Sequence, residues 1–320
     1  MSSSPPSLED LIRASSRALV VGVGGGGDVV GALAAARFLQ FCGTEFVLGG
    51  LSWERSVYDP IPGPRMLSEV ENVRALHPRI WMANPQSQTR TGVFFAESRM
   101  AALQGQEVLL IDINGGVNGV VEGLEVAIKQ FKTDLLVGLD VGGDSLAQGD
   151  ERGLRSPLAD SIMLAAYAEL EKRGHRTLWA VFGYGSDGEL TVDEVESALS
   201  KLAAGGAWLG TTSLTPRIAA ELAEVIKTVS TEASAIPVQC FHGAWGETRI
   251  RTDQRIVKLT PLTALIFFMS ATKLFQTLAR PAQAVSNSSS LEEANDALHA
   301  IGIKTELDLE RERYAATNKP

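Results

Sequence analysis

The sequence predicts an α/β protein on a doubly wound, mostly parallel, Rossmann-like sheet, with a small C-terminal extension of a hairpin and helices. Three observations predict it. Short apolar runs recur along the chain: RALVVGV at 17–23, EVLLI at 107–111, DLLVGL at 134–139 and TLWAVF at 177–182. None alternates in polarity, which marks strands buried on both faces. Each is followed by a turn rich in glycine or aspartate and then by a helical stretch, the pattern of successive βα units.

In chain order, 1–6 is a Ser/Pro tail and 8–14 a short amphipathic helix. The strand at 17–23 runs through glycines into a helix at 28–42, with Val30, Leu33, Ala34 and Phe38 along one stripe. A second strand, 45–48, closes at Gly49-Gly50 and completes a right-handed βαβ unit. A short strand is expected at 80–82, and helices at 117–131, 159–172 and 192–203 follow the later strands. Beyond them come a Gly/Trp/Thr loop at 205–214, a helix at 217–229 and a hairpin at 248–258 turning about Asp253-Gln254. An apolar helix at 262–278 and a linker at 286–290 lead to a final helix, opened by a capping box of Ser290 and Glu293. The expected organisation is a tail and short helix (1–16), an α/β domain (17–285), and a helical extension (286–320) packed on that domain.

Composition narrows the function. The 320 residues are 45% hydrophobic and 21% charged, with a net charge of −9, which suits a sizeable core. Lys and Arg are scattered, so no nucleic-acid partner is expected. No apolar run approaches ~18 residues, so none spans a membrane, and MSSSPPSLEDL does not read as a signal peptide. Cys42 and Cys240 are too few for a disulfide scaffold or a Cys-rich zinc site. The expected location is the cytoplasm, and assembly as a homo-oligomer is compatible with the sequence.

Gly22, Gly24 and Gly27 satisfy G-x-G-x-x-G between a strand and a helix. Glycines there let an anion approach backbone N–H groups at a helix N-terminus, so Gly24, Gly25, Gly26 and Gly27 are candidate phosphate-binding residues. A dinucleotide would also need an acid at the end of the second strand. Gly49-Gly50-Leu51-Ser52 stands there instead, and NAD is not expected. Asp28 places a carboxylate beside the anion's own position, either as a helix cap or as a group that holds a metal or acts as a base.

A second group of acids, Asp112 with Asn114, Asp140, Asp144, Asp160 and Asp187, lies at or just after the C-terminal ends of predicted strands. Ligands of open α/β sheets bind at that edge, although aspartate is also common in turns and caps. Asp28, Asp140 and Asp144 are candidate catalytic residues. Asp112, Asp140 and Asp144 are candidate ligands of Mg²⁺, which takes carboxylate oxygens together with substrate phosphates. A third group, Glu54, Arg55 and Arg65 in SWERSVYDPIPGPR, with Asn114, would contact substrate; the alternative is a rigid surface loop around a packed Trp53. Arg90 and His242 are weaker candidates. No Ser-His-Asp set, GxSxG elbow, Walker loop or HExxH helix is present.

Together VGVGGGGDVVGALAAARFL, LSWERSVYDPIPGPR, IDINGG, GLDVGGDSLAQG with RSPLADS, and GYGSDGEL resemble a largely archaeal family of uncharacterised proteins, a domain of unknown function with a GGGGD loop. The resemblance covers residues 18–310 and implies one integrated unit, but no activity. GGGGDVVGALAAAR is also similar, over that loop alone, to the nucleotide loops of phosphofructokinase-like enzymes. The residues are expected to form an enzyme for a small anionic or polyhydroxylated ligand, phosphorylated or nucleotide-type, using metal-assisted phosphoryl transfer or hydrolysis. An NAD(P)-dependent oxidoreductase and a non-catalytic ligand-binding or sensory protein are the alternatives.

Overall fold

The computed structural model describes residues 7–251 and 254–318. The Ser/Pro stretch 1–6 and Asp253 of the expected turn lie outside the described residues. The strands are β1 (Arg17–Gly22), β2 (Glu45–Leu51), β3 (Val70–His77), β4 (Ile80–Thr89), β5 (Val108–Ile111) and β6 (Leu135–Val141). They continue with β7 (Thr177–Phe182), β8 (Trp208–Ser213), β9 (Gly246–Ile250), β10 (Arg255–Leu259) and β11 (Leu265–Met269). The helices begin with α1 (Leu8–Arg13), α2 (Asp28–Phe41), α3 (Ala96–Gln104), α4 (Gly116–Phe131), α5 (Pro157–Lys172) and α6 (Val192–Ala204). After them come α7 (Pro216–Thr228), α8 (Glu232–Phe241), α9 (Ala271–Thr277), α10 (Arg280–Val285), α11 (Leu291–Ala300) and α12 (Glu306–Thr317). No helix among the described residues is long and apolar enough to cross a membrane.

Nine strands form one sheet in the order β3-β4-β5-β2-β1-β6-β7-β11-β8. The central run from β5 to β7 is parallel, and β4, β3 and β11 pair antiparallel at its flanks. The unbroken apolar character of the central strands follows from burial on both faces. In β1, Leu19 and Val21 enter a core with α4 and α5, whereas Ala18 and Val20 enter a second core with α2 and α7. From β1 the chain works outward through β2 to β5, then returns to place β6 on the other side of β1. That reversal puts a topological switch point, and a crevice, at the C-terminal ends of β1 and β6.

Several expectations need correction. The loop at 205–214 contains a strand, β8, at the sheet edge. The apolar stretch 262–278 is not one helix: a 3₁₀ turn, β11 and the short α9 share it. LIFFM is a β-branched and aromatic run, and Ser270 caps a new helix after it by accepting from Lys273 N. Short apolar runs of this kind read equally as strand or buried helix. β4 extends to Thr89 and pairs with β3, which was not anticipated, nor were α3 and α12 as separate helices. β2 continues through the expected stop at Gly49-Gly50 to Leu51.

The packing of α2 on the sheet depends on a missing side chain. A Cβ on Gly31 would lie 2.3 Å from Val141 Cγ2, so α2 sits closer to β6 than any larger residue permits. Gly31→Ala should therefore cost about 1–3 kcal/mol, the usual range for overpacking a well-filled core. Gly119→Ala in α4 meets nothing nearer than 3.9 Å and should gain up to ~1 kcal/mol of helix propensity. Urea midpoints of the two variants test this; equal shifts would show that α2 is not pressed against the sheet.

Candidate functional site

The glycine loop shapes the crevice but does not leave all its amides free. Gly25 and Gly26 adopt left-handed φ values of 77° and 50°. Gly24 N donates to Asp28 Oδ2 at 3.0 Å, and Gly26 N donates to Trp53 O at 2.9 Å. Asp28 is the first residue of α2, whose N-cap is Gly27. Its carboxylate therefore does not cap its own helix in the expected way. It reaches back to Gly24 and across to β6, where Val141 N donates to Oδ2 at 3.3 Å, so it clips the loop to the neighbouring strand.

The end of β6 contributes the next acids. Asp140 is wholly buried and saturated, accepting from Gly143 N at 3.2 Å, Ser145 N at 3.0 Å and Ser145 Oγ at 2.5 Å. Asp144 accepts a long bond from Ser156 Oγ, 3.3 Å, and lies beside the Asp140 carboxyl. Asp160, in the first turn of α5, is 2% exposed, and its Oδ1 has no hydrogen-bond partner. Asp187 follows β7 and accepts from Glu189 N at 3.2 Å. It fits because Gly142 lacks a side chain: a Cβ there would lie 2.4 Å from Asp187 Cγ. Oxygens of Asp140, Asp144 and Asp160 lie within 4.8 Å of one another, as do those of Asp144, Asp187 and Glu189.

Crowding of like charges out of water favours the neutral acids. Burial first, and then the charges of neighbouring acids, push both Asp144 (beside Asp160 and Asp140) and Asp160 (beside Asp140 and Asp28) well above the usual carboxylate range. Burial and Asp140 do the same to Asp28. Burial and Glu189 raise Asp187 to about 7. Glu189 is the exception: burial would raise it, but the guanidiniums of Arg255 and Arg251 and the Ser156 hydroxyl hold it low. Glu306, brought in by α12, accepts from Leu158 N and Ala159 N at the start of α5, yet burial lifts it to about 8. Burial also lifts Glu54 to about 7, against its hydrogen bond from Ala96 N. Beyond it Glu97 is fully buried, with neither carboxylate oxygen hydrogen-bonded.

Asp28, Glu54, Asp144, Asp160, Asp187, Glu189 and Glu306 line a cleft of about 1060 Å³ together with Arg55, Arg155, Arg251, Arg255 and Arg313. Arg55 crosses over Gly26, its Cγ 3.2 Å from where a Cβ would stand. Burial and the nearby Arg251 depress its pKa, and its guanidinium makes no hydrogen bond to a described residue.

The structure gathers Gly24, Gly25, Gly27, Asp28, Glu54, Arg55 and Asp144 on the cleft, with Asp140 behind its wall and Gly26 under Arg55. It does not bring Asp112, Asn114 or Arg65 there. Asp112 binds Arg79 at 2.6 Å and both Asn114 N and Nδ2 at 2.7 Å. Asn114 in turn donates to Pro64 O, and Arg65 is buried against Asp59 at 2.7 Å, so these residues brace the 52–65 loop. His242 is exposed at the end of α8, and neither it nor Arg90 reaches the cleft. Glu189, Arg251, Arg255 and Glu306 were not among the expected residues. The arginines could have been suspected from TRIRTDQR, which sets them four apart on a hairpin; Glu306 arrives from a distant helix with no local signal.

A carboxyl group whose pKa is raised by folding binds its proton more tightly in the folded state. Stability therefore falls as pH rises from the ordinary carboxylate range, near 4, towards the folded values near 7–8. With Glu54 and Asp187 at about 7 and Glu306 at about 8, the metal-free protein should melt at a higher temperature at about pH 5.5 than at about pH 8. Added Mg²⁺ should raise Tm more at the higher pH. A metal-free Tm that instead climbs across this window would mean that the chain itself compensates the ionised acids.

No curated protein and no solved structure matches the chain. A family model matches residues 19–314, and the chain belongs to that family, described as a protein of unknown function (DUF1152).

Proposed function

We propose that the cleft is the active site of an enzyme acting on a small phosphorylated metabolite by metal-assisted phosphoryl transfer or hydrolysis. One observation carries this reading. Asp144 and Asp160 line the cleft with no cationic partner among the described residues, Asp160 Oδ1 lacks any hydrogen-bond partner, and Arg55, Arg251 and Arg255 line the same cleft. A divalent cation answers the unpaired acids and phosphate oxygens answer the arginines.

The two acidic clusters are not equivalent. Glu189 already receives Arg255 at 3.0 Å, the Ser156 hydroxyl and two backbone amides, so a guanidinium fills the role of cation there. In the other cluster Asp140 is saturated, but Asp144 and Asp160 have coordination capacity left. Those two would hold Mg²⁺, consistent with its habit of taking one or two carboxylates and keeping water and phosphate for the rest. When bound, the ion would polarise a phosphoryl oxygen and offset its charge. Asp28 is oriented by Gly24 N and Val141 N through Oδ2 alone; a cation on the neighbouring acids would favour its ionised form, and Oδ1 would then take a proton from an attacking hydroxyl or water. Arg55 and Arg255 would pair the phosphate oxygens, and Gly24 and Gly25 would let the ligand lie close to the backbone. An NAD(P)-dependent oxidoreductase fits less well, because Asp28 and Trp53 already occupy two of the amides that would hold a pyrophosphate.

Asp28→Asn and Asp160→Asn separate the roles. Asparagine preserves the acceptor that Gly24 and Val141 need, so Asp28→Asn should keep a near-normal Tm and bind ligand, while turnover of phosphorylated compounds falls about 10²- to 10⁴-fold. Asp160→Asn should abolish Mg²⁺-dependent stabilisation by those compounds in thermal shift. Wild-type protein that shows no Mg²⁺-dependent shift with any sugar or nucleoside phosphate would refute the assignment. Mg²⁺-dependent binding without turnover would favour a non-catalytic receptor.

A further inference from the structure

The cleft does not end at the glycine loop. A second recess of about 400 Å³ opens beside it and shares Gly27, Glu54, Val57, Tyr58 and Ser230 with the main cavity. Its walls differ in kind. Charged side chains crowd the main cleft, whereas the recess presents Val57, Tyr58, Phe94 and Val229, with Glu54 and Arg99 as its only charged side chains among the described residues. Tyr58 and Phe94 are 44% and 41% exposed, so two aromatic rings stand uncovered next to a charged site. Tyr58 is positioned by its hydroxyl, which donates to Ser230 O at 3.4 Å and links the loop after β2 to the turn after α7. One Glu54 oxygen accepts from Ala96 N; the other makes no hydrogen bond to a described residue.

We infer that this recess binds the planar heteroaromatic ring of the same ligand whose phosphate lies among the arginines, so that the ligand is of the nucleotide class. The inference rests on the phosphate reading of the main cleft. Exposed aromatic faces gain by stacking on a ring, which offers any such group a sequence-tolerant platform. The Glu54 carboxyl and the Arg99 guanidinium supply charged contacts that orient a ring edge, beside the Thr228 and Ser230 that also line the recess. Burial holds Glu54 near neutrality, so its carboxyl can accept from a ring amino group or donate to a ring nitrogen. A bare sugar phosphate would leave the recess empty. The two cavities meet at Gly27, where the phosphate and ring ends of one molecule can span both.

Calorimetric titration of the full chain with ADP, GDP and UDP against inorganic pyrophosphate, each with Mg²⁺, tests this. At least one nucleotide should bind ten-fold or more tightly than pyrophosphate. Phe94→Ala should weaken that nucleotide by about 5- to 100-fold, the range for losing one stacking partner, with pyrophosphate unchanged. Pyrophosphate binding as tightly as all three nucleotides would overturn the ring subsite and spare the phosphate cleft. Equal losses for nucleotide and pyrophosphate in Phe94→Ala would do the same. Failure of every phosphate compound to bind would overturn both.

Discussion

Carboxylates that converge out of water without a compensating cation are the constraint around which this molecule is arranged. Asp28, Asp144, Asp160 and Asp187 meet where the ends of β1, β6 and β7 open into the cleft. Interior electrostatics leave such a cluster two states: the acids take up protons, or a cation enters. Arginines neutralise only part of it. Arg255 satisfies Glu189, and Arg79 satisfies Asp112 well away from the cleft, but among the described residues no side-chain cation reaches Asp144 or Asp160. Retaining that imbalance lowers the stability of the unliganded fold, a cost proteins commonly carry at functional sites.

The surrounding architecture makes the cluster possible. Short glycine turns after β1 and β6 bring backbone close enough for one Asp28 oxygen to bridge two strands. The hairpin of β9 and β10 delivers Arg251 and Arg255 to the cleft beside Glu189. The C-terminal α12 closes another side with Glu306 on the start of α5, Glu310 on Trp53 Nε1 and Arg313 on Ser56. Residues near the end of the chain are thus part of the site's walls, which links folding of the extension to formation of the cleft.

The parallel core was legible because burial on both faces leaves an unmistakable pattern in RALVVG, LLVGLDV and TLWAVF. Aspartates and glycines after those strands pointed to the crevice for the same reason: turns at that edge are where an open sheet binds ligands. Legibility failed where one-dimensional pattern stops discriminating. LIFFM and its neighbours suit a buried helix as well as β11, and only pairing with β7 and β8 decides it. Asp112 looked equivalent to Asp140, since both follow a strand and precede glycines. What separates them is Arg79, thirty-three residues away in sequence, which ties Asp112 into a structural ion pair. Contacts of that kind, like those of Glu306, depend on tertiary proximity that local sequence does not encode.

Direct observation of a bound ion tests the account most closely. Mn²⁺ soaked into crystals at about pH 8 should give an anomalous peak bridging the carboxylates of Asp144 and Asp160, and that peak should vanish in Asp160→Asn. A peak confined to Asp187 and Glu189, or none at millimolar Mn²⁺, would contradict the claim that these unpaired acids are kept for a divalent cation.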